Sequence, residues 1–190
     1  MRKDELFFFA KQTLALNAIL TPGLILDIAG GGEGVIAQLM GDRVIAIDKK
    51  LRELTEAPVH GLKIQMDAAH LSFPDESFHS VTVFFGFMFM PMRIHSQVLK
   101  EIYRVLKAGG GLYLWDVDVE KPDSTDKQGF AFYLDVHLPD RLIQTGYGFY
   151  WPPKAQTSRY YLSLLEETGF REVGVKQSGL TFAIETRKPV

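Results

Sequence analysis

Residues 24 to 34 constrain this chain more than any other stretch: Leu24-Ile-Leu-Asp-Ile-Ala-Gly-Gly-Gly-Glu-Gly34. Leu24, Ile25, Leu26 and Ile28 read as a strand buried on both faces, as in a parallel sheet. Asp27 is the one acid inside it. Glycine then fills positions 30, 31, 32 and 34. Val35, Ile36, Leu39 and Met40 follow at helical spacing, which stops at Gly41. The pattern is strand, glycine turn, helix. Glycine lets the backbone turn tightly and lets a ligand approach where a Cβ would stand. The N–H groups opening the helix suit polar or anionic atoms. A short connection from strand to helix needs only one or two glycines. This turn is therefore read as a nucleotide or nucleoside site at the carboxyl end of the strand. No Gly-Lys-Ser/Thr follows, which excludes a P-loop. The dinucleotide spacing is met only as Ala29-x-Gly31-x-x-Gly34, whereas Gly30-x-Gly32-x-Gly34 is complete.

The residues downstream narrow the ligand. A second strand, Arg43-Val-Ile-Ala-Ile-Asp48, ends in an acid 14 residues beyond Gly34. An acid there can accept hydrogen bonds from both hydroxyls of a ribose. Its plainer role is to cap the next helix. Lys49 and Lys50 open a charged, exposed helix face. The third strand, Leu62 to Met66, runs into Asp67-Ala68, where an acid and a free N–H can read an adenine edge. Val81 to Phe85 is the fourth strand, and Gly86 to Met90 forms an aromatic, Met-rich lip. Ile94, Val98, Ile102 and Val105 predict a helix with Arg104 and Lys107 near its end and Gly109-Gly-Gly111 as its stop. Leu112 to Asp116 is the fifth strand. Strands alternating with helices imply an α/β fold with a doubly wound, mostly parallel sheet and helices on both faces.

Two regions stand outside that rhythm. Leu6, Phe7, Phe9, Ala10, Leu14, Ala18 and Ile19 predict an N-terminal helix within residues 1 to 22, ended by Pro22-Gly23. Residues 119 to 156 are too long for a plain connection and are rich in aromatics. They read as a partly helical insert, acting as a lid over the carboxyl edge or as an extra packing layer. Ser158 then caps a helix that stops at Gly169. Arg171 to Lys176 and Leu180 to Thr186 close the chain as an antiparallel pair.

At 190 residues, 46% of them hydrophobic, one domain over 1 to 190 is expected. The formal net charge is −2, and basic residues cluster no further than short pairs such as Arg2-Lys3 and Lys49-Lys50. That leaves no nucleic-acid footprint. Absent cysteine removes disulfides, thiolate metal sites and a thiol nucleophile. The five histidines have no metal-binding spacing. No signal-peptide pattern and no apolar run near the roughly 20 residues of a membrane span are present. The expectation is a soluble cytoplasmic protein without a membrane partner, with room for a homodimer.

Taken together, these segments resemble the class I S-adenosylmethionine-dependent methyltransferases over nearly the whole chain. Ile25 to Gly34 is similar to the family's first motif, and Val44 to Asp48 to its second-strand acid motif. Asp67 to Phe78 resembles the segment flanking adenine, and Leu99 to Leu114 the helix leading to the fifth strand. The resemblance implies a Rossmann-like, seven-stranded sheet whose last strand is antiparallel. It implies S-adenosyl-L-methionine as cofactor and methyl transfer to a small-molecule acceptor by in-line displacement. Asp27 and the turn Ala29, Gly30, Gly31 and Gly32 would then bind the methionine part, and Asp48 with Lys49 the ribose. Asp67 and Ala68 would face the adenine, and Phe84 and Phe85 the methyl-donor end. The chain departs from the family pattern at Ala29, where glycine is usual, at Phe78-His79 and at Lys107-Ala108-Gly109.

Positioning supplies much of the rate of such a transfer, so no catalytic residue is required. His95, His137 and the tyrosines of the insert are the candidates. No Asp/Asn/Ser-Pro-Pro-aromatic run follows the fourth strand, where members acting on DNA bases carry it. Two other readings share this layout. One is an S-adenosylmethionine-binding protein without catalysis, with a regulatory or assembly role. The other is an NAD-dependent oxidoreductase, against which Ala29 counts.

Overall fold

The computed structural model describes residues 2–58 and 61–190. Its first departure from expectation is at the N-terminus. Instead of a helix, two short strands form there, β1 (Leu6–Phe8) and β2 (Gln12–Ala15). The physical reason is visible in the rings. Phe7 and Phe9 both pack on Trp151, at 6.2 and 6.1 Å between centroids, while Phe8 stacks on Tyr133 at 6.3 Å. Alternate residues thus face opposite ways, and aromatic residues favour such a pleated surface.

The segment Leu24 to Ile28 gives β3 (Ile25–Ile28), buried at every position. After the glycine turn come α1 (Val35–Met40), β4 (Val44–Asp48), α2 (Leu51–Glu56) and β5 (Leu62–Gln65). Then follow β6 (Phe78–Phe84), α3 (His95–Val105) and β7 (Leu106–Val117). The glycines at 109 to 111 lie inside β7 rather than ending α3. Residues 119 to 156 hold no helix; they form the hairpin β8 (Gly129–His137) and β9 (Leu142–Tyr150). The chain closes with α4 (Ser158–Thr168), β10 (Arg171–Ser178) and β11 (Thr181–Arg187). Thr157, not Ser158, caps α4, accepting the Tyr160 N–H at 3.4 Å.

The large sheet has seven strands in the order β10-β11-β7-β6-β3-β4-β5. Only β11 runs antiparallel to its neighbours; β3 to β7 pair in parallel. The order reverses at β3, between β4 and β6, and α/β folds place their ligand crevice at such a switch point. One face of the sheet, carrying Leu26, Ile28, Val81 and Val83, packs on α3 and α4. In α3 the buried residues His95, Val98, Leu99, Ile102 and Val105 form a single stripe.

The other face is covered by α1 and by a second sheet. There β8 is central, with β9 antiparallel on one side and β1 and β2 parallel along the other. Phe8 is opposite Ala131 and Gln12 opposite Leu134, so four steps of one strand face three of the other. The extra residue is a bulge between β1 and β2. Phe130, Phe132, Leu134 and Val136 of β8 point inward and are buried, while Tyr133 and His137 point out. That is the period of two of a half-buried strand. The insert is thus both the packing layer and, at its β9 edge, a cover for the carboxyl end of the large sheet.

Candidate active site

The turn after β3 is shaped by what surrounds it. Ala29 takes a left-handed backbone, φ +57°, which an L-residue adopts at a cost and which clusters at functional sites. The Gly30 N–H donates to the Ile47 carbonyl at 3.0 Å, and the Gly32 N–H to the Glu53 carbonyl at 3.0 Å. A Cβ on Gly31 would lie 2.9 Å from the Glu53 carbonyl carbon, and one on Gly30 would overlap the Asp27 carboxylate. The turn is therefore pressed between β3 and α2, and glycine is needed for that approach. The helix behind it, α1, is a short one of six residues.

Asp27 lies beneath the turn with 1% of its surface exposed. Burial pushes its carboxyl up to about 7, the hydroxyl of Thr82 opposes this by donating at 2.7 Å, and Asp48 adds to it. Asp48 ends β4. One of its oxygens accepts the Lys50 N–H at 2.8 Å, closing a turn ahead of α2. Asp48 does not cap that helix, whose N-cap is Lys50 without a side-chain bond. Its other oxygen has no hydrogen bond among the described residues. Lys49 turns to Asp67, with Nζ 2.7 Å from Oδ2. That contact, with the Ala69 N–H at 3.0 Å, holds the Asp67 carboxyl below the usual range. Both Asp67 oxygens are thus engaged, while the neighbouring Ala68 N–H has no acceptor among the described residues. At the end of β6, Phe85 also takes a left-handed backbone, φ +50°, and its N–H donates to the Trp115 carbonyl at 2.8 Å.

All eleven residues singled out as cofactor-binding line one cavity of about 540 Å³. They are the turn with Asp27 on one side, Asp48, Lys49, Asp67 and Ala68 on the second, and Phe84 and Phe85 on the third. Glu33, Glu53 and Arg93 share its wall and were missed in the sequence, whereas Phe89 comes from the aromatic lip and Tyr147 from the insert's tyrosines. The signal for Glu33 was its place among the glycines. Of the catalytic candidates, Tyr147 alone reaches the cavity. His95 is wholly buried, with Nε2 3.1 Å from the Met90 carbonyl and Nδ1 3.2 Å from the Tyr160 hydroxyl. Burial pushes its imidazole pKa down, so it is a neutral packing residue. His137 lies at the exposed end of β8.

A family model described as a methyltransferase domain matches residues 26–114, from β3 into β7. Over those residues the chain belongs to that methyltransferase-domain family. Solved structures of the family share the fold. One is a methyltransferase from Methanosarcina mazei, at TM-score 0.62 and 20% identity, covering 87% of this chain and 92% of that one. Another is a phosphoethanolamine N-methyltransferase of Haemonchus contortus, at TM-score 0.64 and 15% identity, covering 91% of this chain and 50% of that one. Among curated relatives, a demethylmenaquinone methyltransferase of Lactobacillus johnsonii is 41% identical over 153 residues, 72% of this chain and 61% of its own. One of Listeria monocytogenes is 36% identical over 112 residues, 57% of this chain and 45% of its own. A ubiquinone/menaquinone biosynthesis C-methyltransferase of Pseudoalteromonas translucida is 31% identical over 143 residues, 68% of this chain and 56% of its own. The chain spans about half the length of these relatives.

Proposed function

We propose that this methyltransferase-family chain transfers a methyl group from S-adenosylmethionine to a small, flat acceptor bound beneath the β9 edge. The observation that carries the reading is the convergence of the glycine turn, Asp48, Ala68 and the aromatic lip on one cavity. The cofactor fits the residues present. Gly30 and Gly31 let the turn press against Asp27 and Glu53, which sets its bare backbone in the cavity wall. The free oxygen of Asp48 suits the ribose hydroxyls, and the free Ala68 N–H suits an adenine nitrogen. Asp67 has a supporting role in this arrangement: it anchors Lys49 and the Ala69 backbone rather than touching the base. Asp27 and the turn from Ala29 to Gly32 receive the methionine part. When bound, the cofactor supplies an electrophilic methyl group on a sulfonium. The protein's part is to hold and orient the acceptor at that end and to keep water out, which Phe84, Phe85 and Phe89 do by packing. The relatives' names suggest a quinone-like ring as acceptor, and a wall of Phe85, Phe89 and Tyr147 suits a planar, apolar body. No described helix is long and apolar enough to cross a membrane.

Two measurements test this. S-adenosylhomocysteine at about 100 times its dissociation constant should add about 2.7 kcal/mol of stability, a rise of a few degrees in Tm, while NAD adds none. Asp48→Ala should weaken S-adenosylhomocysteine binding by about 1.5–3 kcal/mol in calorimetry, the range for a charge-assisted hydrogen-bond site. Stabilisation by NAD alone, or unchanged affinity in the variant, would overturn the cofactor assignment.

A further inference from the structure

Glu33 belongs to the glycine turn, yet the roles above leave it unused. Its two oxygens are held by two hydroxyls of β9. Thr145 donates to one, and Tyr147 donates to the other at 3.2 Å. These partners are not equivalent, because Tyr147 lines the cavity with Glu33 and Thr145 does not. The Tyr147 ring stacks on Phe85 at 5.2 Å and meets the Phe89 edge at 6.0 Å. Its hydroxyl is thereby fixed in the aromatic wall. If the carboxylate served only to fasten β9 to the turn, Thr145 would suffice. A hydroxyl that donates to a carboxylate on one side can accept a proton on the other. Burial and the neighbouring Glu33 raise the Tyr147 phenol well above its ordinary value, so it holds its own proton until another arrives.

We infer that Tyr147 and Glu33 form a proton relay for an acceptor that carries an aromatic hydroxyl. This rests on the methyl-transfer reading above. The acceptor O–H bond breaks and its electron pair stays on the acceptor oxygen. The proton binds Tyr147 Oη, and the proton already there passes to Glu33 Oε2. The acceptor loses one proton and gains one methyl group, on oxygen or on the ring carbon made nucleophilic by the released pair. Charge balances inside the cavity: the carboxylate becomes neutral as the positive charge of the sulfonium donor is discharged. No oxidant or reductant is needed. Annihilating a half-buried anion and a cation beside it is favoured where an aromatic wall excludes water. Tyr147 touches the acceptor and is the catalytic residue; Glu33 acts through it.

The test reads the relay through a photoacid. 2-Naphthol releases its proton on excitation when a proton acceptor is in contact, and its two forms emit in separate bands. It is added to the protein loaded with S-adenosylhomocysteine and excited beyond the protein's own absorption. Wild type and Thr145→Val should emit from the naphtholate band. Tyr147→Phe and Glu33→Gln should emit from the neutral band. With S-adenosylmethionine, turnover of 2-naphthol should fall by about 10²-fold in Tyr147→Phe, the usual scale for a lost general base. Turnover of 4-nitrophenol, which is largely ionised at an alkaline assay pH, should fall far less. A fastening role alone would slow both substrates equally and would affect Thr145→Val as well. Neutral-band emission from wild type, failure of 2-naphthol to bind, or equal losses on both substrates would each overturn the relay. Failure of S-adenosylhomocysteine to bind wild type would overturn the methyl-transfer reading instead.

Discussion

Asp27→Asn is expected to stabilise the unliganded protein above about pH 7 and to flatten its stability profile below that. The Asp27 carboxyl is pushed up to about 7 in the fold, chiefly by burial. In the unfolded chain it titrates at about 4. Between those values the folded state holds a proton that the unfolded state has already lost. Stability therefore falls as pH rises through the window, by up to about 1.4 kcal/mol per unit, and levels off above it. A gap of about three units sets a ceiling of about 4 kcal/mol for this one group. Asp116 adds a second contribution of the same sign, since burial also raises its carboxyl to about 7 against the N–H groups of Val117 and Met88. Asparagine keeps an oxygen for the Thr82 hydroxyl and removes the buried charge. The variant should therefore lose the Asp27 share of the slope and keep that of Asp116, which His95, its pKa lowered by burial, opposes below about pH 6.5. Urea midpoints at pH 5, 7 and 8 measure this. A slope equal to that of wild type would show that Asp27 does not titrate in the window. The gain in stability should come with a loss of function. A cationic ligand favours the ionised carboxylate, so wild type should release a proton on binding S-adenosylmethionine near pH 7. The variant should bind it more weakly and release less, which calorimetry in buffers of different ionisation enthalpy reads directly.

The cavity wall formed by the strand ends was legible in the sequence because its residues are local. Asp27, Ala29 to Gly32, Asp48, Asp67 and Phe84 each sit within a few residues of a strand end, and parallel strands deliver such positions to one edge. What was not legible depends on distant pairing. Thr145 and Tyr147 reach Glu33 across 112 and 114 positions, and no local pattern encodes that meeting. The N-terminal segment failed for a related reason. Leu6, Phe9 and Ala10 fit a helical period as well as an extended one, and β8, more than 120 residues away, decides between them. In the insert the alternation of Phe130, Phe132, Leu134 and Val136 was present, but the aromatic content hid it. Asp67 shows a finer limit. It lines the cavity, yet only the folded chain reveals that Lys49 and Ala69 already occupy its carboxylate.

Phe132→Ala should cost about 3–5 kcal/mol, the range for emptying a buried aromatic site, and the loss should begin in the second sheet. Phe132 is 1% exposed at the middle of β8. Its ring meets Phe85 at 6.0 Å and Tyr147 at 5.9 Å. The second sheet shares no strand pairing with the large one. It is held by side chains, and Phe132 belongs to the core that joins β8 to Ile25, Val35 and Ile36. A cavity there weakens that junction while leaving the ladders of the large sheet intact. Hydrogen exchange should therefore accelerate at Gly129–His137 and Leu142–Tyr150, with Ile25–Ile28 and Val81–Val83 still protected. Equal loss of protection in both sheets would mean that they unfold as one unit. The functional consequence follows the same division. Phe85 and Tyr147 lose their backing, so the acceptor wall loosens and the KM for an aromatic acceptor rises. Asp48 and Ala68 lie on β4 and beyond β5, away from the damage, so affinity for S-adenosylhomocysteine should change much less. Such a split would make the hairpin the half of the site that chooses the acceptor, set on a sheet that holds the cofactor.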